Sequence, residues 1–576
     1  MPSASAPNRC HRIFADHYRD VIDRFFSRKA EYWPVFANED FQEVLKWRFQ
    51  GETPEQMLHR YPRGKALTTN LHSNGSIPAG WEKDKSAQSM KEMARFCAIF
   101  SKNWEHPSSA ENVITTPCDP ALYGSMLASL ANPNLAYQEY AGLAADLEKK
   151  VVRQMASLIG YDPRRATGIF TQGGTFANLY GYLLGIRKSL KEAREHGMGY
   201  TGDYRFINSL GGHYSNITNL SLLGVNIRDK TIRIKLGPNN DIDQQDFERQ
   251  LEACLRLKCV VPTIMLTMGT TDTFGVDEVK PIRDIRDRLS KYYGLEVLPH
   301  IHVDAAVGWA MLFFNDYDCQ RNELAINACT LTGIRKHQKR FAQMKYADSC
   351  SIDFQKWGYA PYTSSLVMIR NGSDLLPLHH DPELFSYFDR NAQGYTHLQC
   401  TIECSRGATG LFGAYAALQA MGVRGYQVVI AHCLQNANYF RACLNKLGFV
   451  KVVAEDNQGP SVGYRIYDPA LVTSADDEYA FECLYQDTPA YHKRVRRNTA
   501  FHRRAFKQKG KVGLFTNWIE AVAHTDYSAQ GSFEFLAGEK AVFFNPRTTY
   551  QEIDVFVEAL RKTVVSARRR QPARKS

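Results

Sequence analysis

The stretch His300-Ile301-His302-Val303-Asp304-Ala305-Ala306 decides how this chain folds. Its first residues are predicted to form a buried strand that ends in the carboxylate of Asp304. Similar strands are predicted at Val260–Leu266, Ser349–Ile352 and Ser364–Ile369, and helix-length segments separate most of them. This alternation predicts an α/β fold with a mostly parallel sheet and helices on both faces. Functional side chains in such folds lie just past the carboxyl ends of the strands.

The residue pattern divides the chain into four parts. Residues 1–130 are predicted to be a helical segment rich in aromatic side chains. Residues 131–400 are predicted to form a large central domain. Residues 401–566 are predicted to form a smaller α+β domain that begins with an apolar helix at Gly407–Met421. Residues 567–576 are basic and are predicted to be disordered.

The bulk composition is that of an ordinary globular protein: of 576 residues, 44% are hydrophobic and 23% are charged, with a formal net charge of +11. No zinc-finger, RNA-recognition or basic-zipper pattern accompanies the basic residues, so we expect no nucleic-acid partner. Thirteen cysteines form no CxxC pair, which favours reduced thiols, and no metal site is predicted. No run approaches the about 18 apolar residues that cross a bilayer, and the N-terminus lacks the pattern of a secretory signal. We therefore expect a soluble, cytoplasmic protein with no membrane partner.

Three short motifs carry side chains suited to a catalytic site. His213 follows Gly211-Gly212, Asp304 ends the strand described above, and Lys356 lies within Asp353-Phe354-Gln355-Lys356-Trp357. Lysine is rarely buried, so a lysine between an apolar strand and a tryptophan differs from an ordinary surface residue. Desolvation and a cofactor are expected to depress its pKa. Taken singly, His213 also fits a core histidine and Asp304 a helix cap.

A glycine turn adds a possible anion site. Gln172-Gly173-Gly174-Thr175 opens the apolar helix Phe176–Leu190. Glycines let the backbone approach an anion, and the helix N-terminus favours a phosphate, although a Gly-Gly pair alone is more often a plain turn. Together the features fit pyridoxal phosphate, which needs a lysine to anchor it, a carboxylate to keep its ring nitrogen protonated and a flat group to cover its ring.

The chain resembles the group II pyridoxal phosphate-dependent amino-acid decarboxylases of fold type I from roughly Asn132 to Gly422. The motifs that carry the resemblance are Asn132-Pro133-Asn134, Glu139-Tyr140-Ala141, Thr171–Asn178, His213-Tyr214-Ser215, Gly269-Thr270-Thr271, His302–Ala306, Asp353–Lys356 and Thr401-Ile402-Glu403-Cys404-Ser405-Arg406. The resemblance implies a fold type I enzyme with a seven-stranded, mostly parallel sheet. Within the family, Trp357–Ser365 looks most similar to the valine and methionine decarboxylase branch.

By this resemblance the cofactor is pyridoxal 5'-phosphate, which Lys356 would bind covalently. Asp304 would contact the ring nitrogen and His213 would stack on the ring. The further cofactor contacts that the resemblance implies are Gly173, Gly174, Thr175 and Ser351 around the phosphate, Thr271 at the phenolic oxygen, Ala306 on the second face of the ring, and Gln355 beside the lysine. Arg406 matches the arginine that receives the substrate carboxylate, and a planar guanidinium can bind a carboxylate bidentately.

The implied reaction converts an L-amino acid to the corresponding amine and CO2. The expected substrate is a medium aliphatic amino acid (methionine, valine or leucine) held by apolar contacts, with glutamate or an aromatic amino acid as the next option. Tyr387, within the polar segment Asp381–Arg390, is the candidate proton donor on a mobile loop, with His213 as the other donor.

Two departures from the family pattern keep alternatives open. Gln355 stands where the family usually has histidine, and glutamine cannot titrate near neutral pH. The best loop alignment puts Leu384-Phe385 near the family tyrosine, and Tyr387 fits only with a shift. Members without that tyrosine tend to release an aldehyde by decarboxylation-dependent oxidative deamination, so an aldehyde synthase is the second hypothesis. A catalytically inactive scaffold is the third, and the intact set of Lys356, Asp304 and His213 argues against it.

The resemblance also implies a homodimer with the site at the subunit boundary. The aromatic N-terminal segment would then wrap across that boundary. Its residue pattern alone is equally typical of a helical layer that packs on its own core.

Overall fold

The computed structural model of the chain describes residues 9–31, 37, 39, 42, 102–199, 202–379, 397, 399–524 and 534–569. At its centre lies a seven-stranded sheet with the strand order β1-β7-β6-β5-β4-β2-β3. The strands are β1 (Thr167–Thr171), β2 (Phe206–Ser209), β3 (Thr231–Ile234), β4 (Thr263–Thr267), β5 (His300–Asp304), β6 (Ser349–Asp353) and β7 (Ser365–Ile369).

The central strands pair in parallel from β3 through β2, β4 and β5 to β6. Strand β7 runs antiparallel to both β6 and β1. Every residue of β4, β5, β6 and β7 is buried, because helices cover both faces of the sheet, and this explains why these strands are continuous apolar runs. The predicted α/β fold with a mostly parallel seven-stranded sheet is confirmed.

Eleven helices belong to the part of the described chain that precedes residue 350. They are α1 (Arg9–Phe25), α2 (Asp119–Ala131), α3 (Gln138–Ala141), α4 (Ala144–Ile159), α5 (Gly174–Ser189), α6 (Ala193–His196), α7 (Ser215–Leu222), α8 (Ile227–Lys230), α9 (Gln244–Arg256), α10 (Val279–Tyr292) and α11 (Ala328–Phe341). Short 3-10 turns lie at Gly308–Phe314, Ala342–Tyr346, Gly372–Leu378 and Glu455–Asn457. Helix α5 packs so closely on the sheet that a Cβ at Gly181 would collide with His302. Because of this close packing, the start of the helix lies near the ends of the strands.

A smaller four-stranded sheet, in the order β10-β11-β9-β8, lies in the C-terminal part of the chain. Its strands are β8 (Val450–Val453), β9 (Ser461–Ile466), β10 (Asn517–His524) and β11 (Phe535–Val542), and its helices are α13 (Ala475–Cys483), α14 (Pro489–Lys509) and α15 (Tyr550–Arg569). The long helix α12 (Thr409–Asn445) joins the two sheets, with Leu411 in the large core and Phe440 in the small one. It kinks at Gly422, whose φ of 57° is non-helical.

The segment 458–511, which had no structural interpretation from sequence beyond surface elaboration, belongs to the core of the small domain. Tyr491, Val495 and Phe501 of α14 are buried, and the ammonium of Lys509 lies 2.9 Å from the buried carboxylate of Glu539. Helix α15 extends through Arg569, so the basic end of the chain begins in a helix and not in the disordered tail that was predicted from residue 567. Residues 570–576 lie outside the described residues.

Helix α1 packs on its own chain. Phe14, Val21 and Phe26 are buried in the large core, and the ring of Tyr18 stacks on His432 with 4.0 Å between ring centroids. This part of the aromatic segment therefore forms a layer on its own core, whereas most of the segment after residue 31 lies outside the described residues. Among the described helices, none is long and apolar enough to cross a membrane.

Candidate active site

The carboxyl ends of the parallel strands meet at one edge of the large sheet, and the predicted catalytic side chains lie there. Asp304 ends β5 and is in register with Thr267 of β4 and Ser351 of β6. Below this edge the side chains enclose a cavity of about 620 Å³. The sequence-predicted residues that line it are Gly173, Gly174, Thr175, His213, Thr271, Asp304, Ala306, Gln355 and Lys356.

Lys356 follows the end of β6 and reaches into this cavity with a side chain that is only 14% exposed. Its Nζ lies 3.0 Å from Oδ2 of Asp353. Burial alone would lower the pKa of Lys356, but the carboxylates of Asp353 and Asp304 raise it above its usual value. The sequence-based expectation of a depressed pKa is therefore reversed by two acidic neighbours, and the protein itself favours the ammonium form.

Asp304 is held by a network of hydrogen bonds. The side-chain amide of Asn178 donates to its Oδ2 at 2.8 Å, and the main-chain amide of Ala306 donates to its Oδ1 at 3.1 Å. Burial alone would raise the pKa of Asp304, but Lys356, His213 and these donors keep it below its ordinary value. The carboxylate is therefore ionised and fixed in place, as an acceptor for a protonated ring nitrogen must be.

Asn178 was not singled out from the sequence, although it lies in a motif of the resemblance. It is on α5, one turn after Gly174, and its Oδ1 faces the Nε2 of His302 at 3.2 Å while its amide holds Asp304. Burial lowers the pKa of His302 to about 4, so this histidine is neutral. The buried side chains of Asn178 and His302 thus orient the carboxylate of Asp304.

Ser351, which was predicted to contact a phosphate, belongs to the same network instead. Its hydroxyl donates to Oδ1 of Asn178 at 2.7 Å and lies 3.4 Å from Oδ1 of Asp304. It is fully buried and is not among the cavity-lining residues. The physical reason is the strand register, which puts Ser351 beside Asp304 on the neighbouring strand.

His213 lines the cavity with a side chain whose pKa burial lowers below the usual histidine value. Its Nδ1 accepts a hydrogen bond from the main-chain amide of Ser215 at 3.2 Å, and the hydroxyl of Ser215 lies 2.9 Å away. These partners indicate that Nδ1 is the unprotonated nitrogen and that Nε2 carries the hydrogen. A neutral, flat ring of fixed tautomer can lie against a cofactor ring.

The glycine turn lies at the N-terminus of α5, as predicted. Gly173 has a φ of 106°, which favours glycine, and Gly174 begins the helix. A Cβ at Gly174 would lie 2.8 Å from both carboxylate oxygens of Asp353. The turn therefore places main-chain amides and a helix dipole at the wall of the cavity, where an anion can be bound.

Gln355 lines the cavity, but the polar atoms of its side chain form hydrogen bonds with the segment that leads into β7. Its Nε2 donates to the hydroxyl of Ser365 at 2.8 Å, and its Oε1 accepts from the main-chain amide of Ser364 at 2.8 Å. The side chain is buried. Gln355 thus braces the connection between Lys356 and β7, which a group that does not titrate can do at any pH.

Arg406 does not line the cavity with Lys356, and its guanidinium is bound to Glu148. The two side chains form a bidentate ion pair with N–O distances of 2.6 and 3.2 Å, and both are about 98% buried or more. The guanidinium also donates to the carbonyls of Phe170 and Leu135 at 3.0 and 2.8 Å. Its predicted role as the substrate clamp therefore requires this ion pair to open, and the clamp stays a prediction.

We expect Arg406→Met to destabilise the fold by about 3–5 kcal/mol, because it leaves the carboxylate of Glu148 buried without its cation. Burial alone raises the pKa of Glu148 and Arg406 lowers it, so the lost partner is the one that keeps the group charged. Denaturant unfolding measures the change. The double variant Glu148→Leu/Arg406→Met should recover most of it, and a single variant that unfolds like the parent but shows a raised KM would favour the clamp instead.

Tyr387, the candidate proton donor, lies outside the described residues and stays a prediction. The cavity contains further residues that the sequence did not indicate. They include Asn112, Val113 and Ile114 before α2, Asp353, Tyr362, and Asp272, which pairs with Lys540 of the small domain. Lys540 was inaccessible to sequence reasoning, because only the packing of the two sheets brings it to the cavity.

The residues present fit a pyridine ring that carries an aldehyde and a phosphate. One cavity holds an amine, a buried carboxylate kept ionised, a neutral flat imidazole and a glycine turn at a helix N-terminus. These groups are the ones that an imine linkage, a protonated ring nitrogen, a ring face and a phosphate need.

Comparisons with known proteins agree with this geometry. The family model of the pyridoxal-dependent decarboxylase conserved domain matches residues 76–467, more than half of the chain. A curated relative, the L-2,4-diaminobutyrate decarboxylase of Rhizobium meliloti (strain 1021), is 23% identical over 334 residues, which span 58% of this chain and 60% of that protein. The chain thus matches less than two thirds of the length of that relative, and the valine and methionine branch is not confirmed.

Solved structures show the same fold. Mouse CSAD in its apo form superposes with a TM-score of 0.69 at 17% identity, over 92% of this chain and 99% of that chain. Oryza sativa TDC with PLP and tryptamine superposes with a TM-score of 0.64 at 17% identity, over 86% of this chain and 90% of that chain. At these identities the likeness establishes the architecture.

Proposed function

The chain belongs to the pyridoxal-dependent decarboxylase family, and from that premise we propose that it uses pyridoxal 5'-phosphate to convert an L-amino acid to the corresponding amine and CO2. The observation that carries the proposal is the single cavity that Lys356, Asp304 and His213 line together. When bound, the cofactor supplies an electron sink for the charge left by departing CO2. The ordinary side chains of a protein do not form such a sink, so the role of the protein is to hold and orient the cofactor and the substrate.

Each of the three residues has one task in this proposal. Lys356 would hold the cofactor through its amine and would be the group that the amino group of the substrate replaces. Asp304, fixed by Asn178 and Ala306, holds a proton on the ring nitrogen. His213 would cover one face of the ring, and the hydrogen on its Nε2 would make it a donor for the proton that replaces CO2.

The substrate carboxylate needs a cationic partner in the cavity. Among the described residues that line it, the lysines are Lys356 and Lys540, and Lys356 is committed to the cofactor. The side chain of Lys540 is 5% exposed, and its ammonium lies 2.7 Å from Oδ1 of Asp272. Lys540 is therefore our preferred partner for the carboxylate, ahead of Arg406.

Lys540→Gln should raise KM for the amino acid by about 10-fold or more with a smaller change in kcat, because a hydrogen bond to a charged group is worth about 1.5–3 kcal/mol. Steady-state kinetics measures the split. Affinity for the product amine, which has no carboxylate, should stay within about twofold of the parent. Lys562→Gln, on the exposed face of α15, is the matched control. An unchanged KM in Lys540→Gln would favour Arg406 as the partner of the substrate carboxylate.

Two classes of side chain fit the rest of the cavity. Val113, Ile114 and Leu236 offer apolar contacts, which support the medium aliphatic amino acids methionine, valine and leucine. The carboxylate of Asp272 is 39% exposed and supports a cationic side chain, such as that of 2,4-diaminobutyrate. A glutamate or aromatic side chain is the next option, since Lys540, Tyr214 and Tyr362 also line the cavity.

Incubation of the purified holoenzyme with the twenty amino acids and 2,4-diaminobutyrate tests the proposal. We expect CO2 and the matching amine in equal amounts from one or a few aliphatic substrates. Faster turnover of 2,4-diaminobutyrate than of methionine would replace the aliphatic class by the cationic one. Oxygen consumption with peroxide and ammonia would identify the aldehyde synthase instead. A colourless protein that releases no CO2 from any of them would reject the function altogether.

We also propose that the chain forms a homodimer in the cytoplasm, with the divisions at residues 130 and 400 predicted above. The support is the family to which the chain belongs. Light scattering of the purified protein distinguishes a dimer from a monomer directly.

A further inference from the structure

Asp353 is a buried carboxylate in the cavity that has no task in the proposed function. It ends β6, its side chain is 4% exposed, and its Oδ2 lies 3.0 Å from Nζ of Lys356. The hydroxyl of Ser365 donates to its Oδ1, and the indole of Trp309 donates to its main-chain carbonyl at 3.1 Å. Contacts that do not involve Lys356 therefore hold this carboxylate in position.

The start of helix α5 leaves space for the same carboxylate. A Cβ at Gly174 would lie 2.8 Å from both of its oxygens. Any side chain there would push the carboxylate of Asp353 out of its place beside Lys356. Glycine at this position therefore serves the Asp353–Lys356 pair as well as the anion site.

The proton balance of substrate binding requires a place for a second positive charge. An amino acid arrives with its nitrogen as an ammonium at neutral pH, because its amine is basic. When that nitrogen replaces Lys356 on the cofactor, one carbon–nitrogen bond forms and one breaks. The substrate nitrogen gives up two of its three hydrogens, and the lysine nitrogen adds two to the one that it carries in a protonated imine linkage. Lys356 is thus released as an ammonium, with no net exchange of protons with water.

We propose that Asp353 is the counter-ion that receives the ammonium of Lys356 each time an amino acid displaces it, a positioning role that rests on the proposed function. The other charged or titratable groups that face Lys356 are Asp304, His213 and Tyr362. Asp304 is bound to Asn178 and is assigned to the ring nitrogen, and neither His213 nor Tyr362 carries a negative charge. Asp353 is the carboxylate at ion-pair distance, and it contributes to the raised pKa of Lys356.

Exchange with methylamine measures this role without turnover, because methylamine has no carboxylate to lose. The visible absorbance of the holoenzyme reports how much of the cofactor has left Lys356. If the lysine leaves as an ammonium, no proton is released and the apparent affinity for total methylammonium is flat between about pH 6 and 9. If it leaves as a neutral amine, one proton is released and the affinity rises about tenfold per pH unit.

We expect the parent enzyme to show the flat profile and Asp353→Asn to lose it. Without the carboxylate the pKa of Lys356 falls, so the variant should bind methylamine about 10-fold or more weakly at neutral pH. The gap should narrow as the pH rises, because above the pKa of the variant lysine the release of a proton favours exchange. Asp374→Asn, which breaks the half-buried ion pair with Lys188, is the matched control and should keep the parent profile.

The outcomes separate this inference from the proposed function. A protein without any visible cofactor band would reject the proposed function. A normal band with a steep profile in the parent, or with a flat profile in Asp353→Asn, would overturn the role of Asp353 alone. The pH profile of methylamine affinity in the parent enzyme tests whether Lys356 leaves as an ammonium, even if Asp353→Asn does not fold. An effect of the variant confined to cofactor retention, with unchanged methylamine exchange, would also overturn the role.

Discussion

Lys356→Ala is expected to reduce CO2 release by at least about 10⁴-fold, which is the usual loss of rate when a covalent catalytic group is removed. The physical reason is that alanine can neither anchor the cofactor nor yield its place to the substrate. The visible absorbance of the linked cofactor should vanish as well. Release of CO2 from the substrate that the panel identifies is the measurement.

Lys339→Ala, on the exposed face of α11, is the control that removes a lysine without touching the cavity. The variant at position 356 should keep the circular dichroism of the parent, because the side chain of Lys356 lines a cavity and does not fill the packed core. Unimpaired decarboxylation by Lys356→Ala would end the assignment of the whole site.

Asp304→Asn should lower kcat/KM by about 10²–10³-fold, because an amide cannot stabilise the protonated ring nitrogen as a carboxylate does. The substitution keeps the size of the side chain, so the hydrogen bond from Ala306 can remain while the charge is lost. The cofactor should still bind through Lys356, which separates this variant from Lys356→Ala. Rate constants for substrate decarboxylation, measured with the cofactor fully loaded, give the effect.

Asp316→Asn, on the exposed turn after Gly308–Phe314, is the matched control and should leave kcat/KM unchanged. The pKa of Asp304 lies below its ordinary value, so the parent carboxylate stays ionised throughout the neutral and mildly acidic range. An Asp304→Asn enzyme as active as the parent would show that the ring nitrogen needs no partner at this position.

The order of strands and helices was accessible from the sequence because it depends on local patterns. The buried strand β5 and its terminal Asp304 read directly as an apolar run that ends in a carboxylate. The anchor Lys356 and the turn at Gly173 were predicted in the same way. Each follows a predicted strand, and the strand ends of a parallel sheet meet at one edge. These predictions needed only the residue types and their spacing.

The partners of those residues were not accessible in the same way. Ser351 and Arg406 were given roles from motif identity alone, and the structure places one beside Asp304 and the other against Glu148. A motif states which residue is present, but not which way its side chain points or which distant charge neutralises it. Lys540 and Asp272, far apart in sequence, illustrate the same limit.

The sequence by itself determined the α/β architecture and, through its resemblance, the family, and it predicted the anchor, acid and ring-covering residues. Periodicity and short motifs carry this information within a few neighbouring residues. The tertiary structure alone decided which charged groups form ion pairs: Asp353 with Lys356, Glu148 with Arg406, and Asp272 with Lys540. The reason is physical. Electrostatic interactions depend on distance and burial in three dimensions, and neither quantity is written along the chain.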